Sequence, residues 1–470
     1  MWREPVPIIR EVGGEVKQKI MIKLFQNKID ILLKNLNDPK LKSQVLQSLP
    51  FWFASLLTGL VAYLYYVLFS YTEDLSIFII QQNKYFIFIL TPTTFLLSWF
   101  LVKKYAPNAK GSGIPQVMAA IELSTPQKKH LADYLLNFKI IIVKILSSLI
   151  KVLGGGILGR EGPTIQISSS IFMTVYKYLP ASFPKVSQRN MIMAGAASGL
   201  AAAFNTPLGG IIFAIEELSK YHIKYYKSSL FTAVIIAGLA AQGLAGSYLY
   251  LGYPKLQTEG ISVVFGVILV AAIAGFLGSY SSVLLLKLMK FVSLLKSNAK
   301  QVYFILFCSM IVASSIYFFG TDAMGSGKEI MERTLFTADK KVEWYIPFVR
   351  ITGLLSTFSF GGAGGIFAPS LSSGASVGSV VAGLLGFTGS NANMLIIIGM
   401  TAFLTGVTKS PFTSAIIILE MTDRHSVIFF LMIAGIIANI TANLVDKKSF
   451  YDHLKEVYIH DTENKEKESQ

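Results

Sequence analysis

Six stretches of this 470-residue chain, 51–72, 190–215, 228–254, 260–286, 301–321 and 426–445, run for 20 to 27 residues without a single Asp, Glu, Lys or Arg. About 20 apolar residues span the hydrocarbon core of a bilayer, so at least six segments are long enough to cross. Charge collects at the ends: residues 1–50 hold 14 of the 69 charged side chains and residues 446–470 hold 12, leaving 43 for the 395 residues between. The chain is 15% charged, where a soluble domain is about a quarter charged. It reads as an all-α polytopic membrane protein. Residues 1–50 are polar and mixed in charge and lack a short apolar core before a small-residue cleavage site. No removable signal peptide is therefore expected, and the N-terminus is expected in the cytoplasm.

The formal net charge of +15 suggests nucleic acid in a soluble protein. In a membrane protein it has another source, because Lys and Arg gather in cytoplasmic loops, as in Lys17, Lys19, Lys23 and Lys28. No nucleic-acid partner is expected. The single cysteine, Cys308, lies in an apolar run and reads as inert packing. The histidines His130, His222, His425, His453 and His460 have no ligand spacing, so neither metal nor cofactor is expected.

Not every apolar stretch suits an ordinary spanning helix. Residues 351–408 are uncharged over 58 positions yet contain 12 glycines, which disfavours one continuous helix. Glycine and proline at membrane depth are tolerated where helices break around a protein-lined cavity. Paired breaks in two halves point to a transporter's binding site. The breaks here do pair. Gly111-Ser112-Gly113 recurs as Gly325-Ser326-Gly327, and Gly159-Arg160-Glu161-Gly162-Pro163 faces Gly365-Ile366-Phe367-Ala368-Pro369. The run from Gly195 to Glu216 matches that from Gly399 to Glu420, with Pro207 over Pro411. Two homologous halves, roughly 51–250 and 251–445, follow between a cytoplasmic segment 1–50 and a cytoplasmic tail 446–470. The repeat alone leaves open whether the halves are parallel or inverted.

Gly111-Ser112-Gly113-Ile114-Pro115, Gly159-Arg160-Glu161-Gly162-Pro163 and Gly364-Gly365-Ile366-Phe367-Ala368-Pro369, in this order, resemble the three signature loops of the CLC family of chloride channels and proton/chloride exchangers. With the third repeat station and Tyr451, the resemblance covers roughly residues 50–455. It implies two inverted halves of tilted and broken helices, and a homodimer with one pore per subunit. Anion sites are expected near the membrane middle, where broken helices meet. With 19 residues after Tyr451, the paired nucleotide-sensing modules of many eukaryotic members are not expected, and a prokaryotic inner membrane is expected.

A dehydrated halide needs hydrogen-bond donors, and helix N-termini offer free N–H groups and a positive dipole end. Glycine turns entering short apolar helices suit this, because no β-carbon blocks the backbone's approach. A fixed positive charge is not required. Ser112 alone reads as a hydroxyl serving a turn, and Tyr451 as an interfacial aromatic anchor. The resemblance makes both hydroxyl donors to chloride, with Ile366 and Phe367 contributing backbone N–H groups. Nitrate-preferring members tend to carry proline at the Ser112 position, so serine favours chloride.

Glu161 is a carboxylate inside an apolar segment, which is costly and by default functional; a structural pair with Arg160 is the alternative. By resemblance it is the gate, occupying the anion cradle when ionised and carrying a proton when neutral. Glu216 and Glu217 are adjacent, and adjacent helical side chains do not face the same way. By resemblance Glu217 is the inner proton-transfer group that separates exchangers from channels. For Glu216 the water path and a helix-end role shared with Glu420 both stand. Gln116 and Met118 lie where some bacterial members have acids, leaving Lys144 without its usual carboxylate unless Glu122 substitutes. Gly154, Gly156 and Gly159 fit a dinucleotide fingerprint literally, but that pattern needs a preceding strand.

The expected function is secondary active exchange of chloride for protons across the lipid bilayer. A passive voltage- or pH-gated chloride channel on the same fold is the alternative. An intramembrane enzyme is not expected, for want of a nucleophile–base pair or metal cluster at membrane depth.

Overall fold

The computed structural model describes residues 39–180, 183–218, 227–246, 250–256 and 261–469. Lys17, Lys19, Lys23 and Lys28, most of the expected N-terminal segment, and His222 lie outside the described residues.

The described chain is helical, and its only β-type pairings are two isolated bridges. The first half holds α1 (Pro39–Gln82), α2 (Ile87–Tyr105), α3 (Ile114–Leu123), α4 (Phe138–Leu153), α5 (Glu161–Lys177), α6 (Gln188–Phe204), α7 (Pro207–Phe213) and α8 (Lys227–Ala245). The second holds α9 (Ile261–Leu294), α10 (Asn298–Phe319), α11 (Lys328–Phe336), α12 (Ile346–Phe358), α13 (Phe367–Leu384), α14 (Gly389–Thr408), α15 (Pro411–Thr422) and α16 (Ile428–Asn443). The series correspond in order, and α17 (Phe450–Ser469) follows.

Matching helices also break alike. Asn205 ends α6 in the left-handed region (φ 56°), and its repeat mate Lys409 ends α14 in the same way (φ 60°). Pro207 and Pro411 then open α7 and α15 at a position where a missing N–H costs nothing. The uncharged run 190–215 is therefore not one crossing helix, as its length suggested: it is broken at Asn205–Thr206. The glycine-rich run 351–408 is likewise divided among α12, α13 and α14.

The halves embrace through reciprocal contacts. Gly159 and Gly365, which are repeat mates, exchange both backbone hydrogen bonds at 2.7 Å. Glu216, at the end of the first half's α7 segment, accepts the N–H groups of Phe412 (3.2 Å) and Thr413 (2.6 Å) at the start of α15. Its mate Glu420 accepts those of Leu208 (3.1 Å) and Gly209 (2.6 Å) at the start of α7. Contacts that map onto themselves when the halves are exchanged define a pseudo-two-fold axis, as in an isologous interface. This is the inverted-repeat arrangement.

Each of these glutamates caps the opposite half's helix, satisfying N–H groups that the helix itself leaves unpaired. The helix-end role is the one the structure gives Glu216. Because the caps are mates, E216Q and E420Q are expected to lower stability alike, each by about 1 kcal/mol. Thermal unfolding in detergent checks this; a clearly unequal pair contradicts it.

Among the described residues, eight helical segments are long and apolar enough to cross a membrane. In α13 and α14, 83% and 94% of the apolar stretch is buried within the chain, against 33% to 44% in the other six. These two helices form the centre, and the others turn a face outward. Close packing there is backbone on backbone: a β-carbon on Gly374 would overlap the Gly399 carbonyl, and one on Gly399 would overlap that of Gly374. Gly195 and Gly199 serve the same purpose for α6 against Ser169 and Ser168 of α5.

Candidate functional site

Three glycine loops meet where the halves join. Gly111 (φ 65°) and Gly113 (φ 101°) adopt the left-handed backbone that turns the chain into α3. Gly111 pairs with the second half's loop, donating to the Gly362 carbonyl (3.0 Å) and accepting from the Gly364 N–H (3.1 Å). The Gly159–Gly365 bridge sets the starts of α5 and α13 side by side. A β-carbon on Gly162 would overlap Ser112 Oγ, and one on Gly365 would come within 2.9 Å of both Gly159 O and Gly162 N. The glycines are what allow the chain at the starts of three helices, at residues 114, 161 and 367, to come into backbone contact. Ile366 and Phe367 sit at the start of α13, buried, with their N–H groups in its first turn.

Two buried hydroxyls neighbour each other there. Ser112 is 5% exposed and Tyr451 0%, and among the described residues neither hydroxyl completes a hydrogen bond of ordinary geometry. Complete burial rules out the interfacial-anchor reading of Tyr451. Its position follows from the turn after α16. Ser449 accepts the Asp452 N–H (3.0 Å) and donates to its carboxylate (2.9 Å), capping α17 so that Tyr451 falls in the first turn. Partial burial pushes Asp446 up, but the Lys448 N–H and the His453 imidazole outweigh it and hold this carboxyl below its ordinary range. The Tyr451 ring then lies on that of Phe367, with centroids 6.4 Å apart and planes 14° from parallel.

Glu161 is the first residue of α5 and 1% exposed. Its carboxylate folds back over Gly159, where a β-carbon would collide with Oε2. Oε1 accepts from the Tyr250 hydroxyl at 3.4 Å, and the backbone N–H groups of Glu161 itself and of Ala368 also face the carboxylate. Arg160 does not form the alternative salt bridge. Its guanidinium lies over the Tyr66 ring at 3.9 Å and reaches the Ala203 carbonyl at 3.4 Å.

Glu217 is also buried and accepts from Ser410 Oγ at 2.6 Å. Adjacent carboxylates were expected to diverge, yet both Glu216 and Glu217 reach the segment from Ser410 to Thr413. The two lie in a π turn, Ala214–Leu218, rather than in a regular α-helix. The Glu217 carboxylate lies within electrostatic reach of Tyr451, as does that of Glu161.

Lys144 does not pair with Glu122. It is fully buried on α4 and donates to the Ala109 and Gly111 carbonyls, both at 2.9 Å, bracing the Ser112 loop from behind. Glu122, at the solvent end of α3, pairs instead with Lys455 at 3.1 Å. Gln116 ties the same loop to α17 through Lys110 O (2.7 Å) and Tyr458 Oη (3.0 Å). Gly154, Gly156 and Gly159 follow a helix rather than a strand, which removes the dinucleotide reading.

Sequence reasoning missed Tyr250 and Glu73. Tyr250 sits in an uncharged run without a motif to mark it. Glu73, on α1, fills the repeat mate of the Ser112 loop: its carboxylate accepts the Ser326 N–H at 2.7 Å. The repeated loop in the second half is thus occupied by the protein's own carboxylate, whereas the Ser112 loop faces the buried hydroxyls.

The crowding around Gly162 carries a prediction. G162A forces Ser112 out of place, and such overpacking costs about 1–3 kcal/mol. The unfolding temperature in detergent is expected to fall accordingly; an unchanged temperature would contradict the overlap.

The family model described as "Voltage gated chloride channel" matches residues 94–443. The chain is 28% identical over 416 residues to the H(+)/Cl(-) exchange transporter ClcA of Salmonella arizonae, covering 84% of this chain and 85% of that protein. The same figures hold for ClcA of Salmonella paratyphi B. Among solved structures, a slow cyanobacterial Cl-/H+ antiporter superposes with a TM-score of 0.73 at 21% identity, over 88% of this chain and 98% of that one. A CLC-type fluoride/proton antiporter gives 0.73 at 18%, with the same coverages. These structures share the fold.

Proposed function

The chain belongs to the voltage-gated chloride channel family, and from that premise we propose that it is an integral multi-pass membrane protein that exchanges chloride for protons. The observation that carries the reading is the junction of the glycine loops. The buried hydroxyls of Ser112 and Tyr451 lie at the starts of α3, α5 and α13, with a carboxylate at the same junction. Donors without acceptors in a space that helix N-termini make electropositive suit a small dehydrated anion. No lysine or arginine needs to enter that space, so the ion is held weakly enough to leave.

Glu161 and chloride compete for this cradle. Ionised, the carboxylate takes the anion's place at the start of α5; protonated, it loses the charge that holds it there and swings away with a proton. Glu217, buried beside Ser410 and near Tyr451, is the proton's second station toward the opposite side. Alternate occupation of one cradle by chloride and by the gate is what couples the two fluxes. The family is one of transporters and channels, and an enzymatic role is not proposed. The halves 51–250 and 251–445, cytoplasmic termini, a prokaryotic inner membrane and a homodimer with one pore per subunit complete the reading.

Flux into liposomes tests it. An imposed chloride gradient is expected to drive protons uphill; chloride movement without proton movement would favour the passive channel. Because a fluoride/proton antiporter shares the fold, the assay is run with both halides, and chloride is expected to be the better driver.

A further inference from the structure

We propose that Tyr250 is a positioning residue for the gate, holding the Glu161 carboxylate in the anion cradle and releasing it on protonation. The inference rests on the gate role proposed above for Glu161 and assigns it a partner from a different part of the chain.

Tyr250 is 3% exposed, and its hydroxyl donates to Glu161 Oε1 at 3.4 Å. The backbone beside it is pinned, with Leu251 N–H donating to the Met421 carbonyl near the end of α15 at 3.1 Å. Its ring stands edge-on to Phe204, the last residue of α6, at 5.4 Å and 72°. Phe204 leans on Phe367 at 6.0 Å, and Phe367 stacks on Tyr451. Four rings thus form a continuous row with a hydroxyl at each end: Tyr250 at the gate and Tyr451 beside Ser112. Ring contacts of this kind fix orientation as well as burying area.

The other charged or titratable groups near Glu161 are Arg160 beside it in the chain, Tyr65 and Glu73 of α1, and Tyr451 of α17. Arg160 is turned toward Tyr66 and Ala203, and Tyr65 is hydrogen-bonded to Ser148 at 2.6 Å. Glu73 is committed to Ser326. Among the described residues, the side-chain hydrogen bond to the Glu161 carboxylate comes from Tyr250. A phenol donates more strongly to a carboxylate than to a neutral acid. The contact therefore favours the gate ionised and in place, and weakens when Glu161 takes up a proton. Tyr250 biases the gate toward its closed state.

Y250F removes the oxygen and keeps the ring packed on Phe204. In liposomes containing the full-length protein, the pH of half-maximal chloride transport is expected to rise by about 0.5–1 unit, because loss of a donor to the ionised form lets Glu161 protonate at higher pH. Proton coupling is retained. In an E161Q background, Y250F is expected to have no effect on the profile. Infrared titration of the Glu161 carboxyl band in the purified protein gives the same shift independently of flux. A Y250F profile superimposed on that of the parent, or a shift that persists in E161Q, would overturn the proposal. A purely structural role would lower the unfolding temperature and leave both midpoints fixed. Failure of the gate reading looks different: E161Q itself would then keep coupled, pH-dependent transport.

Discussion

With Glu161 replaced by Gln, chloride flux is expected to continue while proton movement falls to that of protein-free liposomes. The argument is geometric before it is chemical. The carboxylate lies folded over Gly159 at the start of α5, facing the backbone N–H groups of Glu161 and Ala368 and held at one oxygen by Tyr250. Glutamine has the same shape, but it carries no charge to compete with an anion and no exchangeable carboxyl proton. The cradle is then open to chloride at every pH, so the pH dependence of chloride flux should flatten as coupling disappears. E161A should behave alike, with a wider opening. Proton pumping that survives in E161Q would remove Glu161 from the proton path altogether.

The second large effect is expected at Glu217. E217Q preserves an oxygen to accept from Ser410 Oγ and so keeps the packing around the π turn. It removes a titratable group from an interior where its hydrogen-bond partner Ser410 does not itself supply one near neutral pH. Proton transport should stop while chloride transport remains within about a factor of three of the parent, since the change costs less than the 1.4 kcal/mol that a tenfold effect requires. Equal loss of both fluxes would instead mark Glu217 as a structural group that holds α15. The contrast with Glu216 sharpens the test, because that neighbour spends its oxygens on backbone N–H groups and on Thr413 Oγ1. E216Q should affect stability and leave the ratio of the two fluxes alone.

What could be read in the sequence was whatever the backbone demands of residue type. The glycine loops were visible because close approach forbids a β-carbon there: Gly162 against Ser112, and Gly365 against Gly159, leave no other residue. The repeat was visible for the same reason, since Gly113 and Gly327 both cap helices in the left-handed region. The break between α6 and α7 was marked by Pro207 over Pro411, but the left-handed turn at Asn205 that ends α6 was not singled out. Glu216 and Glu420 could be paired by their offset. That each caps the other's helix is a property of the two-fold axis, which a linear pattern does not contain. Lys144 offered a cation in search of an acid; folding satisfied it with the carbonyls of Ala109 and Gly111. Tyr250 reaches Glu161 across 89 residues of chain, and nothing in its neighbours announces the contact.

The central claim is that one cradle is shared in turn by chloride and by the Glu161 carboxylate, so that the two ions move in exchange. Its most direct test is proton movement in liposomes holding the full-length protein, with a chloride gradient imposed and no initial proton gradient. The account predicts that protons move against their electrochemical gradient, driven by chloride, and that E161Q abolishes this movement while chloride still flows. Chloride flux in the parent protein with no uphill movement of protons would contradict it.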